Sequence, residues 1–176
     1  MKSIEEIVEQ VIKKLECEEI HKIKDQNLFG ALSKDRVAML VFDSARYFVS
    51  LSLETDEMTI IHPENSTDVS NDEFLKIVDC ATKINKISML RFDNVGVAVD
   101  EFPFRLKMDW TVRDNLKPAD VPILSKYRVE YFNAAKPILK EAESLRLSWE
   151  KDNLLFIEGR IGEQNFTFII APVVDD

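Results

Sequence analysis

The stretch KDNLLFIEG, residues 151–159, sets an Asn one position ahead of an apolar run. DQNLFGAL at 25–32 and FDNVGVAV at 92–99 do the same, with Asn27 and Asn94 standing where the first stretch has Asn153. Asn tolerates left-handed backbone and can hydrogen-bond its own main chain, so each stretch reads as a turn that opens a strand. The three turns follow three helical patterns in the same register. That recurrence marks an internal duplication, and it decides the fold.

Upstream of the first turn, Ser3 and Glu6 form a capping box, and Ile4, Ile7, Val8, Val11, Ile12 and Leu15 recur at helical spacing. Strand-like runs follow at 20–24, 28–32 and 37–42. The second copy repeats this order. Ser70 and Glu73 make the box, Phe74, Ile77, Val78, Ala81 and Ile84 the stripe, and the runs fall at 87–92, 95–99 and 104–110. In the third copy Asn133 reads as the cap, Pro137 falls in or near the first turn, and Ile138, Leu139 and Ala142 face inward. Its runs are 145–149, 154–158 and 166–171.

Strands also precede the later helices. RYFVSLSLE (46–54) alternates, EMTIIHP (57–63) follows a Thr-Asp turn, and KYRVEYF (126–132) leads into the third helix. HPEN at His62 reads as a turn. The unit is therefore strand, helix, three strands, and the first copy lacks its opening strand. RDNLKPADVPILSK (113–126) holds Pro118 and Pro122 and no clean periodicity, which makes it a connector. The expected architecture is α+β, with repeated strand-helix-three-strand units and antiparallel sheets. Residues 1–114 would hold the first two units as one domain, 115–125 the connector and 126–176 the third unit.

The bulk numbers narrow the function. At 176 residues, 45% hydrophobic and 31% charged, the chain suits a globular protein that buries about 70% of its unfolded surface. The apolar stretches are strand-sized, well short of the ~20 residues of a membrane-spanning helix, and MKSIEEIVEQ is too acidic for a signal peptide. A cytoplasmic protein without a membrane partner is expected. Cys17 and Cys80 read as idle intracellular thiols, and no Cys/His cluster points to a metal or other cofactor. A net charge of -9 argues against a surface that is basic all over, though a local cluster of Lys and Arg suffices for phosphates.

Three stretches, in their order along the chain, carry a family resemblance. LSKDRVAMLVF (32–42) resembles the sliding-clamp stretch that enters a buried strand. LKPADVPIL (116–124) is similar to the proline-containing connector between clamp domains, and FTFIIAPVVDD (166–176) to the clamp's last strand, Ala-Pro dipeptide and acidic tail. The resemblance implies a DNA-clamp-like fold of the PCNA kind, with helices lining a pore and sheets forming an outer wall. Clamp subunits carry four or six such units, whereas this chain has three.

The resemblance also nominates sites. DNA-facing residues would be Lys13, Lys14, Lys76, Lys83, Lys136 and Lys140, holding phosphates without reading sequence. The same lysines suit a solvated face, since Glu9 with Lys13 and Asp79 with Lys83 are four-residue helix pairs. Protein partners would dock a short peptide motif against Val121, Pro122, Ile123 and Leu124 of the connector and Ala171, Pro172 and Val173 of the tail. The same residues would also serve simply to cover the seam between two parts of the fold.

Chemistry finds no such support. His21 and His62 have no Ser, Cys or second His at catalytic spacing, and Trp110 and Trp149 read as packing residues. Asp100, Glu101, Asp109, Asp175 and Asp176 form no recognisable acid-base pair. The expectation is a non-enzymatic, sliding-clamp-like protein that assembles through sheet edges into a homo-oligomer. It would encircle duplex DNA or tether proteins in replication or repair. The alternative is a small acidic chaperone-like binding protein, similar to secretion chaperones or YbjN-like proteins, that makes no DNA contact.

Overall fold

Helix, then three antiparallel strands, is the order in which the chain folds, three times over. The computed structural model describes residues 3–23, 28–42, 55–56, 63–101, 104–116 and 124–174. Helix α1 (Ile4–Lys14) is followed by β1 (Glu19–Ile23), β2 (Leu28–Leu32), β3 (Ala38–Phe42) and the two-residue β4 (Thr55–Asp56). Next come β5 (Asn65–Ser70), α2 (Asn71–Ile84), β6 (Met89–Phe92), β7 (Gly96–Glu101) and β8 (Phe104–Asp109). Last are β9 (Ser125–Arg128), α3 (Val129–Leu139), β10 (Ser144–Trp149), β11 (Leu155–Ile161) and β12 (Gln164–Ile170). The expected strands at 46–54 and 57–63 lie outside the described residues, apart from Pro63.

Eight strands form one sheet in the order β4-β1-β2-β3-β12-β11-β10-β5, and four form another in the order β8-β7-β6-β9. Every pairing is antiparallel except the short β1–β4 contact, so the chain is an α+β protein. The second and third units exchange their opening strands. β5 leaves its own unit to pair with β10, Asn65 opposite Trp149, while β9 pairs with β6, Met89 opposite Arg128. The first unit joins through β3, whose Leu40 lies opposite Phe168 of β12. Strands of the third unit therefore complete sheets that the first two begin.

Helix α1 starts as its capping box requires, with Ser3 Oγ accepting the Glu6 N–H at 3.3 Å, and it buries Ile7, Val8 and Val11. Helix α2 starts differently. Ser70 is the N-cap but its side chain makes no cap bond. Asn71 instead accepts the Asp72 N–H at 2.9 Å and donates from Nδ2 to the Lys140 carbonyl at 2.9 Å, tying the start of α2 to the end of α3. Helix α3 corrects two expectations. It begins at Val129, so Asn133 lies inside it and not at its cap, and Pro137 sits in its last turn. There Pro137 removes only one late backbone donor, a loss a helix tolerates better near an end than at its centre. The alternation of Tyr127, Val129 and Tyr131 suggested strand, but Val129, Phe132 and Ala135 share the buried helix face and decide the matter.

One continuous core joins all three helices to the inner faces of both sheets. Phe92 lies at its centre. Its ring meets those of Phe74 at 6.3 Å, Trp110 at 5.8 Å, Tyr127 at 5.4 Å, Phe132 at 6.1 Å and Trp149 at 5.5 Å. Those partners come from both sheets and two helices, so one side chain links every layer. Both tryptophans are buried, and Trp110 donates to the Asp93 carbonyl at 2.8 Å. A smaller cluster of Val41 and Ile169, flanked by Met39, Leu154 and Phe156, packs on the opposite face of the large sheet.

Candidate functional site

The tail crosses from the large sheet to the strand that follows the connector. At the end of β12, Ala171 N–H donates to the Val37 carbonyl at 2.8 Å and keeps the chain on the large sheet. Pro172 has no N–H and ends that ladder. Val173 N–H then donates to the Lys126 carbonyl of β9 at 2.8 Å, so two residues cross from one sheet to the other. Ala171, Pro172 and Val173 are half-buried along this crossing. Leu124, two residues before Lys126, is 36% exposed, and Val174 is 55% exposed. The structure thus brings the Leu124 end of the connector beside the tail and leaves apolar surface there. Val121, Pro122 and Ile123 lie outside the described residues, as do Asp175 and Asp176.

The six lysines nominated on the helices fall two to each helix, Lys140 as the C-cap of α3. α3 lies between α1 and α2, packing against both. Lys13 and Lys14 are exposed at the end of α1, Lys76 and Lys83 are exposed on α2, and Lys140 is exposed as the C-cap of α3. Lys136 is paired across helices, its Nζ donating to Asp79 Oδ1 at 2.7 Å. Asp79 therefore reaches across to α3, where helical spacing alone suggested Lys83. Glu5, Glu6, Glu9, Asp72, Glu73 and Glu130 are exposed on the same three helices, so the layer is of mixed sign.

A cleft of about 730 Å³ opens between the end of α1, the β2–β3 turn and the start of α3, lined by Lys14, Glu16, Lys34, Asp35, Glu130 and Tyr131 among others. Tyr131 donates a short hydrogen bond to Asp35 Oδ2, while Asp35 Oδ1 accepts from Ser33 Oγ at 2.7 Å and from the Val37 N–H at 3.2 Å. Burial acts to raise the Asp35 pKa, but the bonds from Tyr131, Ser33 and Val37 outweigh it and hold the carboxyl below its ordinary value. Burial first, then the hydrogen bond to Asp35 and after it the Asp35 charge, push the Tyr131 hydroxyl upward. Cys17, half-buried nearby, is pushed up to about 11 by burial and then by Asp35, so its thiol is protonated at neutral pH. The motif LSKDRV contained Asp35, but Tyr131, read as strand, gave no sign of meeting it. Among the described residues no three His, Cys, Asp or Glu side chains are grouped to hold a metal ion, and no helix is long and apolar enough to cross a membrane.

Neither a scan of protein-family models nor a search of curated proteins found a match to this chain.

Proposed function

We propose that the chain is a non-enzymatic, sliding-clamp-like protein that tethers other proteins in replication or repair. The observation that carries this reading is the exchange of β5 and β9 between two strand-helix-three-strand units, since clamps are built by repeating that unit. Tethering is favoured over DNA encirclement by charge. A DNA-facing helix layer needs cations that outnumber acids, because each phosphate contact depends on displaced counterions. Here Lys136 is held by Asp79, and six acids stand among the remaining lysines.

The docking surface on this reading is the seam of Leu124, Ala171, Pro172 and Val173, with Val174 at its rim. It combines exposed apolar side chains with a backbone pinned at Val37 and Lys126. The test is to pan a library of short peptides against the full chain and map each hit by amide chemical shifts. Hits that move residues 124–126 and 171–174 support the tether. Hits that leave that seam unmoved overturn it. In parallel, retention on closed circular DNA that is lost on linearisation would favour encirclement instead, and light scattering over a range of salt would give the mass of any homo-oligomer.

A further inference from the structure

We draw no further inference here: the strongest candidate, the row of Lys107, Arg91 and Lys126 across the outer face of the four-stranded sheet, carries none, because Lys107 is paired with Asp109 at 3.3 Å, Arg91 and Lys126 are engaged as well, and nothing in the structure shows what ligand would displace those partners.

Discussion

The bond from Tyr131 to Asp35 joins α3 to the β2–β3 turn through one proton, and its two partners shift in opposite directions. Asp35 binds its proton more weakly folded than unfolded. Its contribution is therefore present above the ordinary carboxyl value of 3.8 and is lost as pH falls through the lower folded value. Tyr131 is raised, so its contribution is present below the ordinary 10.0 and is lost as pH climbs toward the folded value. Tyr131→Phe should cost about 1 kcal/mol at pH 7, with the gap to the parent narrowing below about pH 4. Urea denaturation at pH 3 and pH 7 measures this; an equal gap at both would refute it. Turn residues show how far single letters could be read. Asn153 does accept the following Leu154 N–H at 2.8 Å, but the left-handed residue is its neighbour Asp152, at φ 52°. In the second turn Asp93, not Asn94, accepts the Val95 and Gly96 amides. The motif located both turns, while the choice of which polar residue would bend the chain depended on neighbours that spacing does not reveal. Asn27 lies outside the described residues.

Among elements, the helices and the strands after them were legible because their apolar residues recur with periods of 3.6 and 2. β5 was not. Its inward positions are Asn65, Thr67 and Val69, so the alternation is written mostly in polar letters. Thr67 survives burial because its hydroxyl donates to the Val112 carbonyl at 2.6 Å. The candidate surfaces were legible only in part for a related reason. Leu124 and Val173 lie far apart in sequence, and it is the main-chain bond from Val173 to Lys126 that brings their segments together. β7 carries the clearest constraint. A Cβ on Gly96 would lie 2.1 Å from the Met108 carbonyl oxygen in β8, so the two backbones approach closer than any other residue allows. Gly96→Ala should therefore destabilise the protein by about 3 kcal/mol. The urea midpoint reads this directly, and a midpoint like that of the parent would sink the argument.

For the whole molecule, sheet topology matters more than sequence order. The third unit supplies β12 to β3, β10 to β5 and β9 to β6. The chain should therefore unfold in a single cooperative transition, and a fragment ending at residue 116 should lack a native-like melt. Two separate transitions in calorimetry of the full chain would contradict this. The tail is different, because Val173 contributes one main-chain bond outside either sheet. Deleting residues 173–176 should cost about 1 kcal/mol, keep the single transition and weaken capture of peptides that map to the seam. Loss of the cooperative melt would show the tail to be structural instead.

The exchange of β5 and β9 has a consequence during synthesis. β5 leaves the ribosome early, yet its only hydrogen-bonded neighbour among the described strands is β10. Until Trp149 has emerged to lie opposite Asn65, the nascent chain holds α2 and the β6–β8 meander without the strand that anchors them to the large sheet. Closure of so distant a pair is slow. The interval before it, rather than the finished protein, is when this chain is most exposed to aggregation and to capture by folding helpers.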